Sequence, residues 1–454
     1  MRSDFVTDES MAMLTDLYEL TMMNAYVLEK RDGLATFDLF VRKLPPERGY
    51  LLAAGLEQAV NYLLNLRFSS DDIAYLRKQG RFSEEMLDYL RKFKFTGDLW
   101  AVPEGTVIFP NEPILRVTAP IAEAQLFETF LLNVVGFQTL IASKAARIVE
   151  AARGRPVIDF SLRRTQGTDA GMKVARATYI AGCVGTSNVL AGKAYGIPIY
   201  GTVAHSYVMS FPTELEAFRA WARIYPDNCV LVIDTYDTIQ GARNAVTIGK
   251  ELAKVGKGLA GVRLDSGDPL SLSRKVRKIL DDAGLRRTKI FLSGSLNEYV
   301  IERLLKVGAP IDSFGVGTSM GVSDDLPALD VNYKLSEVTV RGRLEPTMKL
   351  SVEKKTLPGR KQVFRFSRGG MFVKDVIGLQ GEHVRGEPLL VKVIENGKLV
   401  QRLPPIDRIR ARARAQLCSL PAEYKKLKGP KAYPVGLSPG LSTLMRRLER
   451  KLMG

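Results

Sequence analysis

Short β-rich segments alternate regularly with helical segments from Pro156 to about residue 330. The predicted strands are 156–160, 198–203, 229–233, 259–264, 289–293 and 313–316. The helices predicted between them are 169–182, 188–195, 213–223, 239–255, 270–283 and 297–306. Such alternation predicts parallel strands joined by right-handed crossovers. We therefore expect an α/β fold, with an incomplete (α/β) barrel as the leading architecture. An open doubly wound sheet is the alternative, because strand count alone does not decide between them.

The sequence on either side of this alternation has a different pattern. Residues 14–28 have helical apolar spacing, residues 36–42 alternate like a strand, and residues 121–153 form a long, mostly apolar helical segment. After residue 330 the chain becomes β-rich and contains turn signals. We expect an α+β domain built from the N-terminal region and the post-barrel segment. The predicted division is an N-terminal α+β domain over 1–150, the barrel domain over 151–330, and a β-rich return segment plus basic C-terminal tail over 331–454.

Cysteine content and hydropathy restrict where such a chain works. The three cysteines, Cys183, Cys229 and Cys418, are scattered and form no Cys-x-x-Cys pair, so neither a disulfide framework nor a cysteine zinc site is predicted. The first residues are polar and acidic, unlike a signal peptide, and no uninterrupted apolar run is as long as a membrane span. We expect a soluble, cytoplasmic protein.

The formal net charge of +17 is concentrated in the C-terminal tail. Residues 401–454 hold 13 Lys or Arg and 3 Asp or Glu, so they carry +10 of the total. A solvated helical face explains such a run, and a weak polyanion-binding surface is the alternative. Only Tyr424 and Tyr433 are aromatic there, which argues against stacking on single-stranded nucleic acid.

One of only two histidines, His205, follows the predicted strand 198–203 and precedes a helix that a Thr213–Glu216 capping pattern begins. Polar residues at the carboxyl ends of strands carry the chemistry of α/β barrels, and the unperturbed pKa of histidine lies nearest to neutrality. A purely structural histidine at a strand end is the open alternative.

Glycine-rich and acidic residues follow several other predicted strands, and in a barrel these ends converge on one face. Gly294–Ser295 and Gly317–Thr318 offer backbone N–H groups before helices, which suits a phosphate, although simple turns give the same pattern. Asp265 and Asp268 can hold a ribose diol and a Mg²⁺-bound diphosphate, or they can belong to helix caps.

Two arginines, a phenylalanine and an aspartate complete the candidate set. Arg163 and Arg263 can clamp a carboxylate or phosphate, or form ordinary salt bridges. Phe160 is either a core residue or a stacking face. Asp234 is a candidate to orient the His205 ring, so we expect these two side chains within hydrogen-bond reach. The chain contains no P-loop, so any use of ATP is not of that kind.

The set, in this order, resembles the nicotinate phosphoribosyltransferase family. The resemblance covers roughly residues 10–400, and the order and spacing of its motifs are more specific than any one of them. The matching motifs are Leu14-Thr-Asp-Leu-Tyr-Glu-Leu-Thr-Met, Phe40-Val-Arg-Lys-Leu-Pro-Pro, Asp159-Phe-Ser-Leu-Arg-Arg, Gly185-Thr-Ser-Asn-Val, Gly201-Thr-Val-Ala-His-Ser, Val262-Arg-Leu-Asp-Ser-Gly-Asp, Phe314-Gly-Val-Gly-Thr and Leu357-Pro-Gly-Arg-Lys.

The resemblance implies a reaction of pyridine nucleotide salvage. Nicotinate and phosphoribosyl pyrophosphate give nicotinate mononucleotide and pyrophosphate, a step of NAD biosynthesis. It further implies coupling to ATP hydrolysis through a phosphohistidine, with Mg²⁺, in an obligate homodimer whose active site is shared between the subunits.

The resemblance also implies a role for each matching residue. His205 matches the phosphorylated histidine and Asp234 the acid that orients it. Phe160 matches one ring of a nicotinate sandwich, and Tyr18, supplied by the second subunit, matches the other. Three groups of matches complete the site: Arg163 and Ser187 on the carboxylate side with Arg263 and Asp265 at base and ribose; Gly294, Ser295, Gly317 and Thr318 around the 5′-phosphate; and Arg42 and Lys43 near the pyrophosphate.

Ser187 bears on the choice of base. A carboxylate needs donors, whereas a carboxamide also presents an NH₂ that needs an acceptor. Related nicotinamide-using enzymes carry an acidic residue at the matching place, so serine implies nicotinate. A nicotinamide- or quinolinate-directed phosphoribosyltransferase is one alternative, and a nucleic-acid-binding protein that uses the basic tail is the other. Serine at position 295 replaces a more usual glycine, and the four-cysteine zinc site of some relatives is impossible here.

Overall fold

The computed structural model describes residues 6–7, 10–351 and 353–453. The chain forms two compact units. The central unit comprises Lys144–Pro327, and the two-segment unit comprises the residues up to Ser143 together with those from Ala328 onward.

The two-segment unit is built on an antiparallel sheet that joins both segments. Its strands lie in the order Arg343–Pro346, Val331–Val340, Leu34–Val41, Pro113–Pro120, Asp98–Ala101, Val391–Glu395, Lys398–Leu399. Leu34–Val41 is buried along seven of its eight residues, so it forms the middle of the core. The strand after the central unit therefore pairs directly with the first strand of the chain.

Further strands and helices complete this unit. A second sheet has the order Glu387–Pro388, Lys361–Arg368, Met371–Leu379, Val435–Leu437, and Leu51–Leu52 pairs with Val107–Ile108. The helices are Leu17–Leu28, Leu56–Asn65, Ser70–Lys78, Glu84–Arg91, Ile121–Leu126, Ile406–Ser419, Ala422–Lys425 and Pro439–Met453, with a 3₁₀ turn at Met11–Met13. The basic tail is thus largely helical, as a solvated helical face requires.

The central unit contains a parallel sheet. Its strands lie in the order Gly185–Thr186, Val157–Asp159, Ser313–Val316, Lys289–Leu292, Gly261–Leu264, Val230–Val232. The helices of this unit are Thr168–Ile180, Val189–Tyr195, His205–Met209, Glu214–Ile224, Thr238–Lys254, Pro269–Asp282, Glu298–Lys306 and Thr318–Val322, with 3₁₀ turns at Leu162–Arg164 and Pro226–Asn228. The predicted α/β class with parallel strands is confirmed.

Local sequence explains why helices begin where they do in the central unit. Asp237, Asp268 and Asn297 each accept a hydrogen bond from a backbone N–H in the first turn of the following helix. The predicted capping pattern is confirmed, since the Thr213 hydroxyl accepts from the Glu216 N–H at 3.2 Å. A Cβ on Gly241 would lie 2.1 Å from the Ile233 carbonyl oxygen, so only glycine allows this helix to approach the strand end so closely.

Two predicted elements differ from the structure. The predicted strand 198–203 is reduced to one parallel bridge between Ile199 and Thr186. Pro198 has no N–H and Gly201 has no side chain to pack, so neither supports a longer ladder. The predicted helix 121–153 is two helices, Ile121–Leu126 and Glu128–Ala151. The second has the length and hydropathy of a membrane span, but 78% of its apolar window is buried within the protein, as in a core helix.

Candidate active site

Most of the predicted site residues of the central unit lie at the carboxyl edge of its parallel sheet. Neighbouring strands end side by side, since Leu264 pairs with Leu292, and Val316 pairs with Asp159. The residues that directly follow these ends are Phe160, Asp265, Ser293 and Gly317. Parallel pairing therefore brings segments that are more than a hundred residues apart in sequence to one edge.

Arg263 is the hub of a polar network at this edge. Its Nε donates to the Ser293 hydroxyl at 2.8 Å, one terminal nitrogen donates to the Thr202 hydroxyl at 2.9 Å, and the other donates to Asp265 Oδ1 at 2.7 Å. The Arg263 guanidinium carbon also lies 5.8 Å from the centroid of the Phe160 ring. Three different partners thus fix the guanidinium plane beside the phenylalanine.

Asp265 carries a stabilised negative charge. Burial raises the pKa of its carboxyl group, but hydrogen bonds from Ser293 and Arg263, the Arg263 charge and nearby His205 outweigh burial, so the pKa lies below its ordinary value. The Asp265 side chain is 24% exposed, so this carboxylate is accessible from solvent. A half-buried carboxylate of this kind can accept hydroxyl hydrogen bonds or stabilise a developing positive charge.

His205 is the first residue of the short helix His205–Met209, and its ring lies beside Asp265. Its Nδ1 is 3.1 Å from the Thr235 hydroxyl, and its Nε2 is 3.6 Å from Asp265 Oδ2. The His205 side chain is 38% exposed. The ring is therefore oriented by two polar groups while it remains accessible from solvent.

The expected hydrogen bond between Asp234 and His205 is wrong. Asp234 Oδ2 instead accepts from the Asp265 backbone N–H at 2.9 Å and from the Ser266 hydroxyl at 2.6 Å. Its Oδ1 is buried and has no hydrogen-bond partner among the described residues. The Asp234 carboxylate is therefore hydrogen-bonded to residues after the neighbouring strand, and the hydroxyl of the next residue, Thr235, contacts the histidine instead. Asp234 thus fixes the turn that carries Asp265.

Phe160 occupies a position that leaves no room for a larger residue at 315. Its ring packs edge-to-face on Phe291, with centroids 5.6 Å apart and planes at 87°. A Cβ on Gly315 would lie 2.7 Å from carbon atoms of both rings. Glycine at 315 therefore allows the Phe160 ring to lie against the sheet, in a half-buried position that suits stacking on a planar ligand.

Buried Asp159, which sequence reasoning did not select as a site residue, ties two loops together. Its carboxylate accepts from the Ser161 N–H at 2.9 Å and from the Thr186 hydroxyl at 2.7 Å. Burial raises the pKa of Asp159, although hydrogen bonds from Ser161 and Thr186 oppose this shift. Exposed Arg163 lies two residues after Ser161, and half-buried Ser187 directly follows Thr186. Asp159 therefore fixes the backbone close to both predicted carboxylate-binding residues.

Two glycine loops follow adjacent strands of the sheet. The first glycine loop, 293–297, has left-handed backbone at Gly294 (φ +87°) and Ser295 (φ +46°), and a Cβ on Gly294 would lie 2.0 Å from the Asp265 carbonyl oxygen. The second glycine loop, 317–318, leads into the short helix Thr318–Val322. Ser295 and Thr318 are both exposed, so the loops present polar groups to solvent.

Asp268 caps the helix Pro269–Asp282, because its Oδ2 accepts from the Ser271 N–H at 2.9 Å. This exposed carboxylate stands at the same edge as Asp265. Within the described residues, no group of three or more His, Cys, Asp or Glu side chains is arranged to hold a metal ion. A metal role for Asp268 stays a prediction.

Tyr18, Arg42 and Lys43 belong to the two-segment unit. Tyr18 lies on the helix Leu17–Leu28 and is 43% exposed, and burial followed by the charges of Glu128 and Glu19 raises its pKa. Arg42 donates to the Asn332 side chain at 3.1 Å, and Lys43 is exposed.

Three residues that were not predicted as site residues contact predicted ones: Thr202, Thr235 and Ser293. Each is immediately beside a predicted strand end or a selected residue, and each supplies a short hydroxyl side chain. That adjacency was the available signal, but hydroxyl residues at strand ends are too common to be singled out by sequence.

Family profiles match most of the chain. Residues 13–136 match the nicotinate phosphoribosyltransferase (NAPRTase) N-terminal domain, residues 156–375 match the nicotinate phosphoribosyltransferase (NAPRTase) family, and residues 381–445 match the nicotinate phosphoribosyltransferase C-terminal domain.

Individual proteins are similar over nearly the full length. Nicotinate phosphoribosyltransferase pncB2 of Mycobacterium tuberculosis is 49% identical over 440 residues, which cover 96% of this chain and 94% of that protein. The nicotinate phosphoribosyltransferase of Bacillus subtilis is 40% identical over 463 aligned positions, which cover 95% of this chain and 94% of that protein. The crystal structure of human nicotinic acid phosphoribosyltransferase aligns with a TM-score of 0.86 at 30% identity, covering 96% of this chain and all of that one.

Proposed function

Because the chain belongs to the nicotinate phosphoribosyltransferase family, and so converts nicotinate to nicotinate mononucleotide in NAD biosynthesis, we propose that it couples this conversion to ATP hydrolysis through a phosphohistidine at His205. The observation that carries the proposal is the accessible His205 ring, held by Thr235 and beside Asp265 in the Arg263 network. Phosphoribosyl pyrophosphate is the second substrate expected for this family, and pyrophosphate is the second product.

The parallel sheet supports an incomplete barrel as the scaffold. The first strand, Val157–Asp159, pairs with the last, Ser313–Val316, and the remaining strands follow in cyclic sequence order. The order is open only between the bridge at Ile199 and the strand Val230–Val232 among the described residues. We propose that the barrel of 151–330 is accompanied by an α+β domain drawn from 1–150 and the β-rich part of 331–454.

For nicotinate, the proposal uses residues on both sides of the ring. Phe160 stacks on one face, and Arg163 and Ser187 donate to the carboxylate. Tyr18 supplies the other face from a second subunit, which makes the functional protein a homodimer. Since the Tyr18 side chain is 43% exposed, it is available for such a contact.

For phosphoribosyl pyrophosphate, the left-handed backbone of the first glycine loop and the start of the second are available to a 5′-phosphate. Arg263 and Asp265 serve base and ribose, and Arg42 and Lys43 serve the pyrophosphate. Mg²⁺ would neutralise charge on the leaving diphosphate. The exposed Asp268 carboxylate fits an ion held mainly by diphosphate and water, since Mg²⁺ needs few protein carboxylates in such sites.

In the transfer step, the nicotinate ring nitrogen forms a bond to the anomeric carbon while the bond to pyrophosphate breaks. Positive charge develops on the ribose, and the Asp265 carboxylate, whose lowered pKa keeps it ionised, is placed to stabilise that charge. In the coupling step, a ring nitrogen of His205 attacks the γ-phosphorus of ATP and ADP leaves. Water later hydrolyses the phosphoimidazole to phosphate, and Asp234 acts indirectly by fixing the turn that carries Asp265.

The decisive experiment mixes the protein with nicotinate, phosphoribosyl pyrophosphate and Mg²⁺, with and without ATP, and identifies the products. We expect His205→Ala to lose ATP stimulation and acid-labile labelling by radioactive ATP, while slow ATP-independent transfer remains. The matched control is His383→Ala, which removes the other histidine, an exposed one. ATP stimulation that survives intact in His205→Ala disproves the phosphohistidine.

Replacement of nicotinate by nicotinamide tests the base assignment. The Arg163 guanidinium and the Ser187 hydroxyl can both donate to a carboxylate, and neither carries a negative charge that would repel it, so nicotinate should be the better substrate of the wild type. Ser187→Asp should narrow the difference in kcat/KM between nicotinate and nicotinamide. The new carboxylate can accept from the nicotinamide NH₂ group, and it repels the carboxylate of nicotinate. A wild-type preference for nicotinamide overturns the assignment.

A further inference from the structure

The two glycine loops need a fixed separation if they are to hold the same phosphate. They follow the adjacent parallel strands Lys289–Leu292 and Ser313–Val316. Each strand end is tied to its neighbours, but the exposed polar residues of the loops, Ser295 and Thr318, lie beyond the last paired residues. Something after the loops must therefore keep their spacing constant.

Lys144 links the chain segments that follow both loops. Its side chain is 1% exposed, and its ammonium group lies 2.7 Å from Glu298 Oε2 and 2.7 Å from Asp325 Oδ1. A third carboxylate, that of Asp324, is 3.5 Å away. Glu298 is 0% exposed and begins the helix after the first glycine loop, whereas Asp324 and Asp325 follow the short helix after the second.

Each arm of this linkage is connected to its loop by a further hydrogen bond. On the first arm, Asn297 precedes Glu298 and caps the same helix through the Val300 N–H at 2.9 Å. On the second arm, Asp324 Oδ1 accepts from the Ser319 hydroxyl at 2.8 Å, and Ser319 is next to Thr318. A displacement of either carboxylate from Lys144 is therefore transmitted to a loop over one or two residues.

We propose that Lys144 is a positioning residue that holds the two glycine loops at the separation required by the 5′-phosphate of phosphoribosyl pyrophosphate. The proposal rests on the proposed function, which gives the loops this ligand. Lys144 does not contact substrate in this role. A buried ammonium group pulled between carboxylates has one favourable position, whereas packing alone tolerates small shifts of a helix.

The test compares steady-state kinetics of Lys144→Met, Lys144→Arg and Asp325→Asn with those of the wild type. We expect Lys144→Met and Asp325→Asn to raise KM for phosphoribosyl pyrophosphate about tenfold, because a misplacement of about 1 Å can cost up to a hundredfold in an aligned site. KM for nicotinate should change less than about twofold. Lys144→Arg keeps the positive charge, so its KM for phosphoribosyl pyrophosphate should lie much closer to the wild-type value than that of Lys144→Met.

Val276→Ala is the matched control for a loss of stability without a loss of charge. Val276 is fully buried in the helix Pro269–Asp282 of the same unit. The Val276→Ala substitution should lower the unfolding temperature and leave KM for phosphoribosyl pyrophosphate and KM for nicotinate unchanged. If Lys144→Met does not fold, Asp325→Asn still decides, since its side chain is 30% exposed and tolerates an amide. If neither Lys144→Met nor Asp325→Asn raises KM for phosphoribosyl pyrophosphate selectively, the proposal is overturned.

Wild-type turnover separates this proposal from the proposed function. If the wild type makes no nicotinate mononucleotide, the proposed function fails, and calorimetric titration with ribose 5-phosphate then tests the linkage alone. Weaker binding to Asp325→Asn than to the wild type supports the positioning role of Lys144. Equal binding, or binding to neither protein, overturns it.

Discussion

The two units contain similar Arg–Asp pairs in opposite environments. In the two-segment unit, Arg365 donates to Asp375 with Nε and a terminal nitrogen at 3.0 and 2.5 Å, and both side chains are 0% exposed. In the central unit, Arg263 donates to Asp265 at 2.7 Å, but the side chains are 12% and 24% exposed. Each guanidinium also lies over a phenylalanine, Phe372 at 4.4 Å and Phe160 at 5.8 Å.

The difference shows that geometry of a pair does not reveal its role, whereas exposure and the other partners do. Arg365 uses its remaining donor on Gln416, so its charge is enclosed within the fold. Arg263 uses its remaining donors on two hydroxyl groups at the edge of the sheet, where a ligand can replace or join them. The first pair should therefore control stability, and the second should control activity.

The largest expected effect is on stability, in Arg365→Met. Removal of the Arg365 cation leaves two buried acids, Asp375 and Glu112, without its positive charge nearby. The pKa of Glu112 is already raised by burial and by the Asp375 charge. Breaking a buried pair in this way costs about 3–5 kcal/mol. Urea unfolding of wild type and variant measures the loss, and kcat/KM of the folded variant should stay within about twofold of the wild type.

The double variant Arg365→Met/Asp375→Leu is the control for this effect. Replacement of both charged partners by apolar side chains is often neutral, so most of the lost stability should return. A single variant that unfolds at the wild-type urea concentration would show that the enclosed pair contributes nothing.

Arg263→Lys should have the reverse signature. Lysine cannot donate to Ser293, Thr202 and Asp265 at once, so we expect kcat/KM to fall about a hundredfold, or about 2.7 kcal/mol of transition-state stabilisation. The free energy of unfolding should change by less than about 1 kcal/mol, because the charged partner Asp265 is partly exposed to solvent. Arg219→Lys is the control, since Arg219 pairs with Glu251 on an exposed helix surface of the same unit. Equal kinetic losses in both variants would remove the distinction.

The fold and the candidate site around the exposed pair could be only partly predicted from sequence. The strand ends and the residues that follow them were predictable, because β–α periodicity and caps are local signals, and five of the six predicted strands are present. The Arg263–Asp265 contact is also local. In contrast, the sequence predicts Asp234 as the partner of His205, whereas the structure gives the histidine Thr235 and Asp265. Which of two consecutive side chains reaches a neighbouring loop depends on the register between strands, and Lys144 is joined to Glu298 and Asp325 by tertiary packing alone.

Gly315→Ala tests whether the ring over which Arg263 lies must stay in place. The new methyl group would stand 2.7 Å from the Phe160 and Phe291 rings, so one ring must move. We expect KM for nicotinate to rise about tenfold and stability to fall by about 1–3 kcal/mol, the usual cost of overpacking. Gly258→Ala is the control, since no described residue other than the two chain neighbours lies within 4 Å of the added methyl group. An unchanged KM for nicotinate in Gly315→Ala would contradict stacking on Phe160.

The smallest expected effect is the pH dependence that the exposed pair contributes to stability. Because Asp265 has a lowered pKa in the folded protein, its ionised form stabilises the fold above the ordinary aspartate pKa of about 3.9, and this contribution is lost as pH falls through the folded-state pKa. Wild type and Asp265→Asn should therefore differ most in urea unfolding near pH 6 and converge below about pH 4, with a difference of less than about 1 kcal/mol because the pair is partly solvated. A difference that stays constant or grows as the pH falls from 6 to 3 would mean that the Asp265 charge is not stabilised by Arg263 and Ser293, and that the exposed pair differs from the buried one in more than its access to solvent.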